Sequence, residues 1–254
     1  MSKFEHFDAN PDGRDFAVGD IHGHFSRLQR VLDEAGFDPV VDRLFSVGDL
    51  VDRGPESELA LDWLARPWFF AIQGNHEFLA IQHVQHRPLD YRMYKASGGA
   101  WFLELKPDAQ ALFAAQFARM PLALEVETAC GLIGLVHADC PLPTWDLLRT
   151  TLLGHMPEQS GLEEFCQWSR KRLQVQDMSG IPDLRALIVG HTPLPEPQIL
   201  GNVLHIDTGG WHSNGSGYFT LVDLATLEMN SPPTSAPDSA SAGNEGSNQS
   251  HRFP

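Results

Sequence analysis

Three short glycine-bounded motifs carry the residues of this sequence that are best suited to metal chemistry. They are residues 19–23 (Gly-Asp-Ile-His-Gly), 48–54 (Gly-Asp-Leu-Val-Asp-Arg-Gly) and 74–77 (Gly-Asn-His-Glu). An apolar stretch that reads as a short buried strand precedes each motif. Because open α/β sheets bind their ligands at the carboxyl ends of strands, the motifs predict carboxylate, imidazole and amide groups converging at one sheet edge.

Two further predicted strands, 132–136 and 186–189, run into histidines. The five strand ends together supply six candidate metal ligands: Asp20, His22, Asp49, Asn75, His137 and His191. A set of oxygen and nitrogen donors without cysteine suits two divalent ions of intermediate softness, such as manganese, iron or zinc.

The candidate ligands point to phosphate ester hydrolysis. Asp49 is central in chain order and is the natural bridge between two ions. Two ions about 3.5–4 Å apart lower the pKa of a bridging water and hold a phosphoryl group for in-line attack. The sequence therefore predicts a dinuclear hydrolytic centre.

Three residues beside the candidate ligands complete this chemistry. Arg53 offers a guanidinium, whose planar fork matches the geometry of phosphate. His76 follows a candidate ligand directly and is expected to protonate the leaving group. Asp52 is expected to hold that imidazole oriented and protonated.

The elements that position these residues alternate between strand and helix. Strands are predicted at 16–18, 44–47 and 68–72, and an amphipathic helical pattern follows each of them. This β-α-β-α order predicts parallel strands with right-handed crossovers.

The rest of the chain is less regular. Residues 83–125 and 144–176 are predicted to be mainly helical. The strands predicted at 203–207 and 218–222 are joined by a short glycine-rich link and are therefore expected to pair antiparallel. Trp101 is assigned to the core.

The ends of the chain differ from its centre. Residues 1–15 are predicted to be a flexible lead-in, and residues 16–230 one folded catalytic domain. Residues 231–254 are rich in Ser, Pro, Ala and Gly and contain almost no large apolar side chain. Such a segment buries too little surface to offset its ordering entropy, so a disordered tail is predicted.

The composition excludes several classes of protein. A net charge of −15 over 254 residues disfavours binding to nucleic acid or to anionic membranes. No signal peptide is predicted in residues 1–15, and no apolar run approaches membrane-spanning length. The three widely spaced cysteines, Cys130, Cys140 and Cys166, indicate free thiols in a reducing compartment. We therefore predict a cytoplasmic protein and leave its oligomeric state open.

Together the three motifs resemble the signatures of the PPP family of metallophosphatases, within the calcineurin-like phosphoesterase superfamily. The resemblance extends over roughly residues 15–225. It implies an α/β sandwich of two mixed sheets flanked by helices. It also implies two divalent ions, most often manganese in bacterial members, with iron or zinc as alternatives.

The resemblance also implies roles for single residues. For one ion it implies the ligands Asp20, His22 and Asp49. For the other it implies the ligands Asp49, Asn75, His137 and His191. It gives Asp52 and His76 the proton-donor role and Arg53 a contact to phosphate.

A second phosphate-binding arginine is implied by the segment 168–172 (Trp-Ser-Arg-Lys-Arg), which is similar to a motif of the small bacterial and phage protein phosphatases. Arg170 is the residue that this similarity selects. Arg172 is the alternative, because the register of the segment is open.

Within the family, the sequence resembles the bacterial and phage serine/threonine phosphatases more than the diadenosine tetraphosphate (Ap4A) hydrolases. The latter usually have alanine at the position of Asp52 and aspartate at that of Glu77. The segments 97–101 and 137–139 also resemble the bacterial phosphatases. The implied substrates are phosphoserine and phosphothreonine in proteins or peptides, together with phosphotyrosine and small aryl phosphates.

Three other functions stay open. One is a symmetrical Ap4A hydrolase, and the second is a nuclease, which Arg53 and the acidic surface disfavour. The third is a non-enzyme, an inactive phosphoprotein-binding module. That last function is disfavoured because all six candidate ligands are present.

Overall fold

Ten strands form two β-sheets in the computed structural model, which describes residues 2–155 and 160–230. The strands are β1 Phe4–Phe7, β2 Asp15–Val18, β3 Arg43–Ser46, β4 Phe69–Ala71, β5 Ala123–Thr128, β6 Gly131–Val136, β7 Ala186–Val189, β8 Gln198–Leu200, β9 Val203–His205 and β10 Leu221–Asp223. The predicted tail, 231–254, lies outside the described residues.

Both sheets are mixed. The four-stranded sheet has the order β10-β2-β3-β4, in which β2, β3 and β4 run parallel and β10 runs antiparallel to β2. The six-stranded sheet has the order β1-β5-β6-β7-β9-β8. Its β6, β7 and β9 are parallel, whereas β5 and β8 each run antiparallel to a neighbour.

The two sheets enclose one apolar layer. Ala17 and Phe45 pack in the same buried cluster as Leu135 and Ile188, from the other sheet. Their neighbour along the chain, Phe16, packs in a different cluster with helical residues. Successive strand residues thus point to opposite faces and both faces are covered, which explains the nearly continuous apolar strands.

Nine α-helices of the described residues flank the sheets. They are α1 Phe25–Glu34, α2 Ala60–Leu64, α3 Asn75–Val84, α4 Tyr91–Tyr94, α5 Ala100–Glu104, α6 Pro107–Phe117, α7 Trp145–Leu152, α8 Leu162–Trp168 and α9 Lys171–Val175. A 3₁₀ turn, Ser57–Leu59, precedes α2, and a π-helical turn, Lys95–Gly99, joins α4 to α5. None of these helices is long and apolar enough to cross a membrane.

The prediction that residues 203–207 and 218–222 pair with each other is wrong. β9 pairs with β7 and β8 in one sheet, whereas β10 pairs with β2 in the other. The glycine-rich link therefore crosses between sheets instead of forming a hairpin. The antiparallel partner of β9 is β8, a three-residue strand that is too short to give a clear pattern.

Two strands lie where other structure was predicted. β5 occupies the end of the segment that was predicted to be helical, and β1 lies within the predicted flexible lead-in. The two pair in parallel from Phe4 with Ala123 to Phe7 with Val126. Phe4 is buried and contacts the Trp145 ring, with centroids 5.8 Å apart. β1 and β5 are far apart in sequence, so their pairing depends on tertiary contacts that local sequence patterns do not reveal.

Candidate metal centre

The predicted metal ligands all follow the carboxyl ends of strands. Asp20 and His22 follow β2, Asp49 follows β3, Asn75 follows β4, His137 follows β6 and His191 follows β7. All six side chains are buried. The structure therefore brings the predicted ligands from both sheets together at one edge.

Backbone strain is concentrated in these loops. Five of the eight non-glycine residues with positive φ in the described structure belong to the predicted site: His22, Asp49, Asp52, Arg53 and His191. A left-handed backbone is unfavourable for such residues, and it persists where surrounding contacts dictate it. The loops are thus shaped to aim these side chains.

Asp49 lies at the centre of the cluster. Its Oδ2 is 3.4 Å from Nε2 of His137 and 3.6 Å from Nε2 of His22. It belongs to two groups of potential metal-binding atoms, one with His22 and His76 and the other with His137 and His191. Within each group the atoms lie within 4.8 Å of one another. Asp49 is therefore the carboxylate common to both groups, as its predicted bridging role requires.

Two imidazoles are oriented by backbone carbonyls. Nδ1 of His22 donates to the carbonyl of Val51 at 2.8 Å, and Nδ1 of His137 donates to the carbonyl of Val47 at 2.7 Å. These bonds direct Nε2 of each ring towards Asp49. Histidines that bind metals are commonly held in this way by the other ring nitrogen.

Several buried polar atoms of the cluster have no hydrogen-bond partner among the described residues. They include Oδ2 of Asp20, Nε2 of His22 and Nε2 of His191. Buried polar atoms are normally paired, because leaving them unpaired costs free energy. Unpaired acceptors that converge beside a buried carboxylate fit divalent cations.

The protonation of the cluster reflects its crowded charges. Burial alone opposes the charged forms of Asp49 and His137, but their attraction outweighs it. The pKa of Asp49 accordingly lies well below its usual value, and that of His137 is raised to about 10. A metal ion held by both groups would take the place of this proton, so its binding would be accompanied by proton release.

Three other candidate ligands, Asp20, His22 and His191, have pKa values that favour the neutral form, in contrast to Asp49 and His137. Burial, reinforced by the carboxylate of Asp207, raises the pKa of Asp20 well above its usual value. Burial and the neighbouring His137 lower the pKa of His191 to about 3. Burial and His76 likewise lower the pKa of His22. His22 and His191 are therefore neutral at pH 7, the form that binds metals.

Asn75 opens α3 and links the two later histidines. Its Oδ1 lies 3.0 Å from Nε2 of His137 and 2.9 Å from Nδ1 of His191. The backbone N–H of His76, the next residue, donates to Oδ1 of Asp49 at 3.0 Å. The first turn of α3 thus holds the central carboxylate.

Glu77 supports the central loop. Its Oε2 accepts hydrogen bonds from the backbone N–H groups of Asp49 (3.0 Å) and Gly74 (2.8 Å), and its Oε1 accepts one from Leu50 (2.8 Å). Burial and the nearby Asp49 raise its pKa to about 7. The capping carboxylate of α3 therefore also fixes the backbone that presents Asp49.

Asp52 and His76 form a buried pair. Oδ2 of Asp52 lies 2.6 Å from Nδ1 of His76. Burial alone lowers the pKa of His76, but Asp49 and the hydrogen-bonded Asp52 outweigh it, so the pKa is raised. Trp101, which was assigned to the core, is half-buried and donates its indole N–H to Oδ1 of Asp52 at 2.6 Å.

The two candidate phosphate-binding arginines are exposed at the cluster. The guanidinium of Arg53 lies 3.4 Å from Nε2 of His76 and 4.1 Å from the centroid of the Trp211 ring. Arg170 is the residue directly before α9, and its charge helps to lower the pKa of His191. Arg172, the alternative to Arg170, is buried and donates to Oδ1 of Asp139 at 3.0 Å. Its guanidinium is thus engaged in an internal ion pair.

A family model decides the assignment of this chain. Residues 16–195 match the model described as "Calcineurin-like phosphoesterase". The chain belongs to the calcineurin-like phosphoesterase family. The predicted family is thereby confirmed, and so is the fold of two mixed sheets flanked by helices. Members of this family are metal-dependent hydrolases, so this phosphoesterase uses divalent metal ions.

Individual relatives agree with this assignment. The phosphoesterase is 36% identical over 197 residues to serine/threonine-protein phosphatase 1 of Salmonella typhimurium, covering 76% of this chain and 85% of that protein. It is 39% identical over 136 residues to a symmetrical bis(5'-nucleosyl)-tetraphosphatase of Pseudomonas putida, covering 52% of this chain and 44% of that protein. A protein serine/threonine phosphatase structure from Saccharomyces cerevisiae shares the fold, with a TM-score of 0.64 at 20% identity. That match covers 88% of this chain and 78% of the yeast chain.

Proposed function

We propose that this phosphoesterase hydrolyses phosphoserine and phosphothreonine monoesters of proteins, with two divalent ions and with manganese as the preferred metal. The observation that carries the proposal is the buried Asp52–His76 pair beside the exposed guanidinium of Arg53. The pair supplies a proton, and the guanidinium supplies a phosphate contact. The resemblance to bacterial serine/threonine phosphatases supports the same substrate class.

The metal ligands in this proposal are the six buried residues of the cluster. Asp20, His22 and Asp49 would hold one ion. Asp49, Asn75, His137 and His191 would hold the other. Ions bound there supply Lewis acidity and generate a nucleophile from water at neutral pH.

The two exposed arginines bind the phosphoryl group. Arg53 and Arg170 each present a planar set of donors, which form charge-assisted hydrogen bonds to phosphate oxygens. Their charge also offsets that of the nearby carboxylates, which otherwise repels a phosphate dianion. Arg172 is not part of this clamp, since Asp139 accepts from its Nε.

His76 protonates the oxygen of the departing serine or threonine. Its pKa is raised, which favours the protonated ring, and Asp52 accepts its Nδ1–H, so that the proton on Nε2 is the one transferred. A serine alkoxide is a poor leaving group, and proton transfer from a positioned side chain typically accelerates such steps by 10²–10⁴-fold.

A rate assay on metal-stripped protein tests the proposal. A phosphothreonine peptide, a phosphotyrosine peptide and Ap4A are compared with and without added manganese. We expect manganese-dependent release of phosphate from the phosphothreonine peptide and poor turnover of Ap4A. Binding of the peptide without turnover under any metal contradicts the proposal and favours an inactive binding module.

A second candidate function is symmetrical hydrolysis of Ap4A. The match to the tetraphosphatase of Pseudomonas putida, which extends over 136 residues, favours this function. The Asp52–His76 pair argues against it, because the Ap4A hydrolases usually have alanine at the position of Asp52. If the same assay shows fast cleavage of Ap4A and no hydrolysis of the phosphopeptides, the protein is an Ap4A hydrolase and the first proposal is wrong.

A further inference from the structure

Trp211 contacts two groups of the candidate site at once. The guanidinium of Arg53 lies over its ring, 4.1 Å from the centroid. The ring of His22 meets it edge to face, with centroids 4.9 Å apart. Trp211 lies on the link that crosses from β9 to β10, far in sequence from both partners.

The indole of Trp211 is itself held in place by a hydrogen bond to a buried carboxylate. Its Nε1–H donates to Oδ1 of Asp207 at 3.1 Å, and the same oxygen accepts the backbone N–H of Gly209 at 3.1 Å. Asp207 is buried. Further along the link, the guanidinium of Arg27 donates to the carbonyl of His212 at 2.9 Å. The plane of the indole is therefore fixed before any substrate arrives.

Arg53 has few other anchors for its side chain. Its backbone is fixed, since φ is 67° and a Cβ at Gly98 would lie 2.4 Å from its N atom. The guanidinium, however, is exposed, and within residues 2–155 and 160–230 its polar side-chain neighbour is Nε2 of His76, at 3.4 Å. The face of Trp211 is thus its main orienting surface.

Stacking has a chemical advantage over an ion pair at this position. A carboxylate partner takes up the N–H donors of a guanidinium, whereas an aromatic face contacts the plane and leaves the donors at its edge free. The stacked Arg53 consequently keeps its donors for phosphate oxygens while its orientation is restricted.

We propose that Trp211 is a positioning residue that holds the guanidinium of Arg53 in its phosphate-binding orientation. The inference rests on the proposed function, in which Arg53 contacts phosphate. Trp211 acts through Arg53 and does not itself touch the reacting atoms.

The first measurement is inhibition by inorganic phosphate together with the KM for a phosphothreonine peptide. We expect Trp211→Leu to raise both constants about 3- to 10-fold, the range that corresponds to loss of a cation–π contact. Trp211→Phe keeps an aromatic face and should stay within about 3-fold of the unmodified protein. If Trp211→Leu leaves both constants unchanged, the inference is wrong.

A double-mutant cycle separates positioning from a general structural role. Arg53→Ala is combined with Trp211→Leu, because two residues that act as a unit show non-additive effects. We expect Trp211→Leu to change the phosphate inhibition constant less than about 2-fold when Arg53 is already absent. An equal effect of Trp211→Leu in both backgrounds overturns the inference.

Two further variants control for a general effect of losing a tryptophan and for failure of Trp211→Leu to fold. Trp68 is also half-buried and contacts an arginine, Arg66, at 5.2 Å, but it precedes β4 at the opposite end of the sheet. Trp68→Leu should leave both constants unchanged. If Trp211→Leu does not fold, Trp211→Met is measured in the same cycle with the same expectations.

The cycle also distinguishes this inference from the proposed function. If Arg53→Ala weakens phosphate binding and Trp211→Leu does not, only the positioning role fails. If Arg53→Ala leaves phosphate binding unchanged, Arg53 is not the phosphate contact and both fail.

Discussion

Trp101 donates its indole N–H to Oδ1 of Asp52 at 2.6 Å, and the other oxygen of this carboxylate lies 2.6 Å from Nδ1 of His76. The three residues thus form a hydrogen-bonded chain that leads to the proposed proton donor. The backbone of Asp52 is also constrained. Its φ is 71°, and its N–H donates to Oγ of Ser57 at 2.9 Å. Both ends of the carboxylate are therefore fixed.

Trp101→Phe tests whether this chain supports catalysis. The substitution keeps an aromatic ring against Phe102 and Phe113 but removes the donor to Asp52. Leaving a buried acceptor unsatisfied costs about 1–3 kcal/mol. We expect kcat on a phosphothreonine peptide to fall roughly tenfold, which corresponds to about 1.4 kcal/mol. The phosphate inhibition constant should not change, and a change in that constant alone contradicts the proposed role.

His76→Asn tests the proton-donor role through the leaving group. A serine or threonine alkoxide requires a proton, whereas p-nitrophenolate leaves readily without one. We expect kcat to fall about 10²–10⁴-fold on the phosphothreonine peptide, the usual contribution of a general acid. The loss on p-nitrophenyl phosphate should be much smaller. Equal losses on the two substrates argue for a structural or metal-binding role of His76 instead.

The sequence predicted that the candidate ligands lie close together, because chain order and strand direction carry the necessary information. The motifs around Asp20 and Asp49 follow parallel strands, and parallel strands bring their carboxyl ends to one edge. His137 and His191 were predicted to lie at the same edge, and their strands, β6 and β7, are parallel neighbours. Local patterns on adjacent parallel strands therefore predict well which side chains converge.

Contacts between distant segments were not predictable in the same way. Trp101 is 49 residues from its acceptor Asp52, and nothing in its local sequence identifies that partner. The glycine pair before it, Gly98–Gly99, marks a break, and the structure shows that Gly98 lets the chain pass against Arg53. β1 was missed and the partner of β10 was wrongly predicted for a similar reason, since each is a short strand whose partner is fixed by packing.

Glu77→Gln tests how the central loop is held. The carboxylate accepts backbone N–H groups at both oxygens, and an amide offers a donor in place of one acceptor. We expect the free energy of unfolding of the metal-free protein to fall by about 1–3 kcal/mol. Affinity for manganese should also fall, because Asp49 is less well oriented. Thermal unfolding and a manganese titration measure the two effects.

The matched control for Glu77 is Glu58→Gln, which changes an exposed residue in the same way. It should alter neither the unfolding temperature nor the affinity for manganese. If Glu77→Gln behaves like this control, the three backbone hydrogen bonds contribute nothing to the loop.

Removal of metal should destabilise the protein. The buried cluster then holds polar atoms that have no hydrogen-bond partner among the described residues. A ligand that binds the folded state stabilises it by about 2.7 kcal/mol at one hundred times its dissociation constant. We expect a chelator to lower the unfolding temperature and added manganese to restore it. Asp49→Asn should abolish the restoration, and a full manganese response in that variant contradicts the central role of Asp49.

Asp42 predicts how stability depends on pH away from the site. Burial alone opposes ionisation of Asp42, but bonds from Arg14 outweigh it, so the pKa lies below its usual value. The carboxylate accepts the Arg14 guanidinium at 2.6 Å and the backbone N–H groups of Arg14 and Asp38 at 2.7 and 3.0 Å. Because the folded-state pKa is lowered, this stabilisation is present above the unfolded-state pKa, about 3.9, and is lost as the pH falls through the folded-state value.

Asp42→Asn should therefore reduce the free energy of unfolding at pH 7 by about 1–2 kcal/mol, measured by urea denaturation. The difference from the unmodified protein should begin to shrink below about pH 4, where Asp42 of the unfolded chain takes up a proton, and should be smallest below the folded-state pKa, where both proteins carry a neutral side chain at this position. Asp12→Asn, at an exposed residue nearby, serves as the control and should show no such difference. A difference between Asp42→Asn and the unmodified protein that stays constant from pH 7 to pH 3 would mean that the charge of Asp42 makes no contribution to stability.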